Sequence, residues 1–131
     1  MIKTETILLV EDSKFLRIAT ERILTKAGYQ VIGAGDGDGA LLRAESSLPD
    51  LIVLDMLLPK LSGPEVLRSL KKNNRTAHIP VVVLSSLSQN NGPKLVQEGA
   101  NAFLEKGSLL ENPGQLLEAI MGALPTRTTV P

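Results

Sequence analysis

Four apolar runs of the sequence each lead into polar residues of types that can perform chemistry. The residues at these run ends are Glu11 and Asp12, Asp55, Ser85, and Lys106. An unbroken apolar run such as Leu51 to Leu54 is typical of a strand buried on both faces. The carboxyl ends of parallel strands meet at one edge of a sheet, where ligands bind. These side chains therefore share one crevice if the four strands are neighbours, although Asp55 taken alone could simply begin a solvated loop.

Three carboxylates in one crevice indicate a site for a cation. At a separation of ~5 Å and an effective dielectric of ~20, each pair of carboxylates costs about 3 kcal/mol. Lys106 offsets part of this repulsion, and a divalent cation would offset the rest. Oxygen ligands without cysteine or clustered histidine favour Mg²⁺, or alternatively Mn²⁺, over zinc. Such a cation bridges to phosphate oxygens, so Asp55 is a candidate nucleophile, with Lys106 and Ser85 holding phosphoryl oxygens.

Composition limits the class of protein. The 131-residue chain has 14 basic and 14 acidic residues, so its charge favours neither nucleic acid nor an anionic membrane. It contains no cysteine and one histidine, His78, which excludes disulfides and multi-histidine metal sites. No apolar run approaches the ~20 residues of a membrane helix, and the N-terminus lacks the form of a signal peptide. The expectation is a soluble cytoplasmic domain.

Five apolar runs alternate with five helical patterns. The predicted strands are 6–10, 29–34, 51–54, 79–84 and 102–104, and the predicted helices begin after Ser13 or Asp12, after Gly39, and near Pro64, Pro93 and Pro113. This alternation predicts a doubly wound α/β fold with a five-stranded parallel sheet and right-handed crossovers. We expect one domain over residues 1–124 and a flexible C-terminal tail over residues 125–131.

The segment from Gly33 to Gly39 contains four glycines. It fits neither of the nucleotide-binding glycine motifs, and its Asp36 and Asp38 would repel phosphate. We therefore predict a flexible turn before helix two, whose buried side would include Leu41 and Leu48.

A cluster of basic residues lies near the end of the third predicted helix. Its members are Arg68, Lys71, Lys72 and Arg75. One interpretation of this cluster is a nucleic-acid patch. Because the helix dipole favours cations near a helix C-terminus, we predict instead that the cluster forms a solvated final turn. His78 is predicted at the surface, at the end of the sheet opposite Asp55.

Four motifs together resemble the receiver domain of two-component response regulators, of the stand-alone chemotaxis-regulator type. They are Val10-Glu11-Asp12-Ser13, Leu54-Asp55-Met56-Leu57-Leu58-Pro59 with Gly63, Leu84-Ser85-Ser86, and Gly99 to Lys106. Each motif alone is weak, but all four occur in receiver-like order and spacing over residues 5–124. The resemblance implies a flavodoxin-like fold with strand order 2-1-3-4-5.

The resemblance also implies a role for each residue of the crevice. Residues that match the Mg²⁺ site are Glu11 (through water), Asp12, Asp55 and the backbone carbonyl of Leu57. Asp55 also matches the phosphoacceptor. Those that match the switch and catalytic positions are the Ser85 hydroxyl, the Phe103 ring and the Lys106 ammonium. Phe103 could equally be simple core, and Ser85 could be a plain strand-end hydroxyl.

The implied phosphoryl donor is a phosphohistidine on a sensor histidine kinase or a histidine phosphotransfer protein. The implied readout face comprises helix four, strand five and helix five, and it would bind a downstream protein rather than DNA or a membrane. We expect either a stand-alone receiver or the receiver fragment of a larger regulator. This sequence shows no output segment after helix five, so the expectation is output through a partner, and a homodimer stays an open alternative. The domain would be no enzyme beyond its own phosphotransfer and a slow autodephosphorylation, since neither Leu57 nor Leu87 can orient a water.

The sequence departs from the family at Gly107, where a proline is usual, and at Gly92-Pro93 in helix four. A phosphatase of the haloacid dehalogenase type would need an acid where Leu57 stands. A flavodoxin would not place two acids beside its phosphate loop after strand one. A receiver-shaped interaction module that is never phosphorylated is the alternative that Gly107 leaves open.

Overall fold

The computed structural model describes residues 4–85 and 98–125, and its centre is a parallel sheet. The five strands are Thr6–Val10 (β1), Gln30–Ala34 (β2), Leu51–Asp55 (β3), Val81–Ser85 (β4) and Ala102–Glu105 (β5). They pair in the order β2-β1-β3-β4-β5, and every pairing is parallel. The predicted fold class and strand order are confirmed.

Helices connect the strands. In the described part of the chain they are Lys14–Lys26 (α1), Gly37–Ser47 (α2), Gly63–Lys72 (α3) and Pro113–Ala123 (α4), with a 3₁₀ turn at Lys106–Ser108. The last of these, α4, is helix five of the prediction. The helix predicted from Pro93, Leu87 and the tail beyond Pro125 lie outside the described residues. No helix within the described ranges is both long enough and apolar enough to span a membrane.

Apolar side chains cover both faces of the sheet, which explains the continuous apolar runs in the sequence. One face packs against α2 and α3 through residues that include Leu8, Ile52, Leu54, Ala44 and Leu67. The other face packs against α1 and α4 through residues that include Ile7, Leu9, Val53, Leu24 and Ile120. Every residue of β3 is buried, so Asp55 ends a strand that is shielded on both faces.

The register of the sheet brings the carboxyl ends of four strands together. The pairs nearest those ends are Val10 with Leu54, Asp55 with Leu84, and Ser85 with Glu105. The candidate residues at all four strand ends therefore lie along one edge of the sheet, as predicted.

Side-chain hydrogen bonds cap the first turns of α1, α2 and α3, whereas Asn112, a cap candidate before Pro113, makes no such bond at the start of α4. Of the two predicted caps for α1, Ser13 is the one that acts, since its hydroxyl accepts from Leu16 N at 3.3 Å. Ser62 caps α3 and forms a reciprocal capping box with Glu65. At the end of α1, Gly28 has a left-handed φ of 102°, a conformation that glycine adopts without steric cost.

The ends of α2 differ from the prediction. Gly37 and Gly39, expected in a flexible turn, form the first helical turn because the Asp36 carboxylate accepts a 2.7 Å hydrogen bond from Gly39 N. Leu48, predicted on the buried side, is 45% exposed. It lies at the C-cap with a left-handed φ of 46°, so helical spacing no longer sets the direction of its side chain.

Of the four basic residues near the end of α3, Arg68, Lys72 and Arg75 are exposed, as predicted, whereas Lys71 is less solvated than predicted. The Lys71 ammonium donates to the carbonyl oxygens of Ala77 at 3.1 Å and Ile79 at 2.8 Å. Burial lowers the pKa of Lys71 from its ordinary value. Its aliphatic chain packs beside Gly99, where a Cβ would lie 2.9 Å from Lys71 Cγ. His78 is exposed, as predicted.

Candidate functional site

Three carboxylates meet at the carboxyl edge of the sheet. One oxygen from each of Glu11, Asp12 and Asp55 lies within 4.8 Å of the other two. Glu11 and Asp55 are buried, with 1% and 0% of their surface exposed, whereas Asp12 is exposed. The cluster therefore has two acids inside the protein and one at its mouth. This is the convergence that the sequence predicted from separate strand ends.

Lys106 links two of these carboxylates. Its ammonium lies 2.7 Å from Asp55 Oδ2 and 3.0 Å from Glu11 Oε1. Burial alone would lower the pKa of Lys106, but its hydrogen bonds to Asp55 and Glu11 and their charges outweigh burial and raise that pKa. Lys106 therefore stays protonated and neutralises part of the cluster's negative charge. It reaches the cluster although Gly107 replaces the usual proline after it.

The carboxyl group of Glu11 lies in an environment that disfavours its charge. Burial has the largest effect and raises the pKa of Glu11 above its ordinary value, and the charge of Asp55 adds to the rise. The hydrogen bonds from Lys106 and from Ser13 N, 3.1 Å from Oε2, act in the opposite direction. A cation at the cluster would favour the charged form of Glu11.

Asp55 is held through both of its carboxylate oxygens. Oδ2 accepts from Lys106, and Oδ1 accepts from Leu57 N at 3.1 Å. Each oxygen has a second lone pair for a further ligand. The side chain of Leu57, two residues after Asp55, is apolar and 56% exposed. A Cβ on Gly63 would lie 2.5 Å from Met56 Cα, so the loop after β3 requires glycine there.

The two candidate switch residues lie on neighbouring strands. Ser85 ends β4 and Phe103 lies in β5, and both are half-buried. Phe103 packs against the apolar cluster that faces α2 and α3. Both residues lie on the strands where the sequence placed them, and a coupled movement between them stays a prediction.

Arg17 makes a contact with the site that sequence reasoning missed. Its Nη1 donates a 2.6 Å hydrogen bond to the carbonyl oxygen of Glu11. An arginine in the second turn of a helix carries no motif that would link it to the preceding strand end. The contact becomes visible only once the fold places the two residues together.

The donor set of the acidic cluster suits a hard divalent cation. The cluster offers carboxylate oxygens, the ligand type that Mg²⁺, Mn²⁺ and Ca²⁺ prefer. Three carboxylates beside one ammonium leave negative charge that a divalent ion would neutralise. The residues present therefore fit a divalent metal site at this edge of the sheet.

Comparison with known proteins identifies the family. Residues 7–121 match the family described as Response regulator receiver domain. The chain belongs to the response regulator receiver family. It is therefore a receiver domain of two-component signalling, and the resemblance found in the sequence is confirmed.

Similar receiver sequences occur in regulators of several kinds. The chain is 43% identical over 105 residues to the gliding motility regulatory protein of Myxococcus xanthus, covering 79% of this chain and 13% of that protein. It is 38% identical over 101 residues to the alkaline phosphatase synthesis transcriptional regulatory protein PhoP of Bacillus subtilis, covering 76% of this chain and 41% of PhoP. Protein PilG of Pseudomonas aeruginosa is 32% identical over 127 residues, covering 95% of this chain and 90% of PilG. The receiver chain thus spans less than half of the first two proteins and most of PilG.

Solved receiver domains share the fold. The chemotaxis response regulator CheY4 of Vibrio cholerae has a TM-score of 0.84 at 28% identity, covering 93% of this chain and 100% of that chain. The response regulator domain of CheB from Thermotoga maritima has a TM-score of 0.83 at 28% identity, covering 95% of this chain and 99% of that chain. The flavodoxin-like strand order of this receiver domain agrees with both.

Proposed function

We propose that this receiver domain accepts a phosphoryl group on Asp55 from a phosphohistidine and thereby switches a protein-binding face. The observation that carries the proposal is the contact of Lys106 with both Asp55 and Glu11, at 2.7 and 3.0 Å, inside the acidic cluster. This contact puts a fixed positive charge beside the carboxylate that would attack phosphorus. Membership of the receiver family supports the same role for Asp55.

In the proposed reaction, an oxygen of Asp55 attacks phosphorus while the phosphorus–nitrogen bond of the donor breaks and the imidazole keeps the bonding electrons. The carboxylate is already held by Lys106 and by Leu57 N, so its alignment needs little reorganisation. The Lys106 ammonium can then hold one oxygen of the transferred group, and the Ser85 hydroxyl can hold another. The product is an aspartyl phosphate.

The metal site would use Asp12, Asp55 and the backbone carbonyl of Leu57, with Glu11 acting through water. The cation would be Mg²⁺, with Mn²⁺ as a substitute, and when bound it supplies positive charge to the acids and the phosphoryl oxygens. Two observations support this assignment. The three carboxylates approach within 4.8 Å, and the exposure of Asp12 leaves the cluster accessible from solvent.

The switch would run from Ser85 to Phe103. Movement of the Ser85 hydroxyl toward the phosphoryl group would free space at the end of β4, and the half-buried ring of Phe103 would turn inward. The surface affected is the predicted readout face. It includes β5 and α4, whereas the predicted helix from Pro93 lies outside the described residues.

The partners of the domain follow from this chemistry. A sensor histidine kinase or a histidine phosphotransfer protein would donate the phosphoryl group, and a downstream protein would bind the readout face. We assign the activity to one domain over residues 1–124 acting in the cytoplasm, without direct contact to DNA or a membrane. Its catalysis would be limited to its own phosphorylation and slow dephosphorylation, and dimer formation through the phosphorylated state is an alternative output.

The test is incubation with acetyl phosphate and Mg²⁺, followed by a phosphate-retarding gel. Wild-type protein should give a shifted band that hydroxylamine and EDTA each prevent, because hydroxylamine cleaves acyl phosphates and EDTA removes the cation. Asp55→Asn should give no shift, and Asp38→Asn, which changes an exposed acid on α2, should shift as wild type does. A shifted band from Asp55→Asn would contradict the assignment. No shift from wild type would favour the alternative function, a receiver-like interaction module.

A further inference from the structure

We propose that Arg17 is a positioning residue for the metal site, because it fixes the peptide from which Asp12 projects. The inference rests on the proposed function for its consequence in phosphotransfer. Its structural basis is the 2.6 Å hydrogen bond from Arg17 Nη1 to the carbonyl oxygen of Glu11. A hydrogen bond with a charged donor is shorter and stronger than one between neutral groups.

The carbonyl that Arg17 holds belongs to the peptide group between Glu11 and Asp12. That group is planar, so fixing its oxygen fixes the plane and the direction in which the Asp12 Cα leaves it. The preceding peptide is also fixed, because Glu11 N donates to Ala34 O on β2 at 3.0 Å. Glu11 is therefore held on both sides of its Cα. The Asp12 side chain is exposed. The direction in which it leaves the chain therefore depends on this stretch of backbone.

Two glycines at the end of β2 lie beside the Arg17 side chain. A Cβ on Gly33 would lie 3.4 Å from Arg17 Cδ, and one on Gly35 would lie 3.6 Å from Arg17 Nη1. These are ordinary van der Waals distances, so the guanidinium group passes close to the backbone at the end of β2. Arg17 thus connects the end of β2 to the turn that follows β1.

The direct test compares metal affinity among variants of the whole chain. Mn²⁺ binding is measured by loss of the electron paramagnetic resonance signal of the free ion, with Mg²⁺ as competitor. Arg17→Met keeps the aliphatic packing but removes the donor, and its Kd for Mn²⁺ should rise about tenfold, as for other residues that orient metal ligands. Arg17→Lys keeps one charged donor and should rise less. Arg22→Met changes an exposed arginine of the same helix and should bind as wild type does.

A second measurement separates positioning from general stability. Urea unfolding of each variant reports stability, and Arg17→Met should show a raised Kd even when titrated well below its unfolding midpoint. An Arg17→Met protein with wild-type affinity for Mn²⁺, whatever its unfolding midpoint, would overturn the proposal. If Arg17→Met does not fold, Arg17→Lys decides: a raised Kd for Mn²⁺ at a wild-type unfolding midpoint would support the proposal, and a wild-type Kd would overturn it.

A third measurement separates this inference from the proposed function. With acetyl phosphate as donor, Arg17→Met should need a higher Mg²⁺ concentration for half-maximal phosphorylation, while the rate at saturating Mg²⁺ changes less. If wild type binds Mn²⁺ but is never phosphorylated, the proposed function fails and the Mn²⁺ titration still tests Arg17. If wild type binds no Mn²⁺, both the proposed function and the role of Arg17 are overturned.

Discussion

The Lys106 ammonium donates a 2.7 Å hydrogen bond to Oδ2 of Asp55, a carboxylate with 0% of its surface exposed. The same ammonium lies 3.0 Å from Glu11 Oε1. One cation therefore compensates two buried acids. In such an arrangement the loss of the shared partner costs more than the loss of a surface ion pair, because it leaves buried charge without compensation.

Lys106→Met should therefore destabilise the metal-free protein, by about 3 kcal/mol in free energy of unfolding. Added Mg²⁺ should recover more stability in this variant than in wild type, since it replaces the missing positive charge. Urea unfolding in EDTA and in Mg²⁺ measures both effects. Lys72→Met, which removes an exposed lysine, should change neither. Equal stability of Lys106→Met and wild type in EDTA would show that the ion pair contributes nothing.

The raised pKa of Glu11 should make stability depend on pH. Because the folded pKa lies above the ordinary value of 4.5, the folded state holds the Glu11 proton more tightly than the unfolded state does. The resulting stabilisation is complete below 4.5 and is lost as pH rises through the folded pKa. Glu11→Gln has no such proton, so its stability relative to wild type should increase as the pH rises from 4.5 through the folded pKa of Glu11.

Urea unfolding in EDTA at a series of pH values measures this difference for Glu11→Gln. The control is Glu21→Gln, an exposed acid on α1, whose stability relative to wild type should not vary in the same way. A difference for Glu11→Gln that falls with rising pH would mean that Lys106 stabilises the charged form more than burial disfavours it.

Gly37→Ala should lower stability and slow phosphorylation together. A Cβ on Gly37 would lie 2.6 Å from Leu61 Cβ and 2.9 Å from Val66 Cγ2, too close for the loop after β3 to keep its place. Overpacking of this kind costs about 1–3 kcal/mol. It should also displace the loop that carries the Leu57 carbonyl. Urea unfolding and the rate of phosphorylation by acetyl phosphate are the measurements.

The matched control for Gly37→Ala is Gly122→Ala in α4, where an added Cβ would meet no atom within 4 Å. That substitution should stabilise the protein by up to about 1 kcal/mol, since alanine has the higher helix propensity. If Gly37→Ala behaves as Gly122→Ala does, α2 can move away from the loop without cost.

Lys71→Met should destabilise the protein more than Lys72→Met. Lys71 Nζ donates to Ala77 O and Ile79 O, and methionine would keep the aliphatic packing while leaving both carbonyls without this donor. The expected loss for Lys71→Met is about 1–3 kcal/mol in free energy of unfolding. Lys72 is exposed, so Lys72→Met should lose little stability. Equal unfolding midpoints for the two variants would restore the prediction of a solvated final turn.

The strands and the acidic cluster could be predicted because they depend on patterns of apolar and polar residues that are present in the sequence itself. A strand covered on both faces must be apolar along its length, so runs such as Leu51 to Leu54 are visible in the sequence. An acid such as Asp55 directly after such a run must then lie at the edge of the sheet. Because the strands are parallel, the polar residues at the ends of β1, β4 and β5 must lie at the same edge.

The contacts of Arg17, Gly37 and Lys71 could not be predicted because each depends on how separate elements approach one another. From the sequence, Gly37 is typical of a turn, and only the structure shows that Leu61 lies against it. Lys71 is typical of a surface lysine, and only the structure shows that it donates to the carbonyls of Ala77 and Ile79. Local patterns report what an element prefers. They do not report the close approaches that decide which glycine or lysine is needed.

The aspartyl phosphate should be long-lived, because the leucine two residues after Asp55 cannot orient a water. Leu57 lies two residues after Asp55, is 56% exposed, and has neither donor nor acceptor in its side chain. Leu57→Asn would add both and should speed dephosphorylation by about tenfold or more, since orientation of the attacking water lowers the barrier. The decay of phosphoprotein on a phosphate-retarding gel after removal of acetyl phosphate measures the rate.

The control is Leu42→Asn, which changes a leucine that is 71% exposed on α2, and its phosphoprotein should decay as wild type does. A wild-type half-life of seconds, or no acceleration in Leu57→Asn, would mean that water is oriented by another group, because the leucine would then not be what limits hydrolysis.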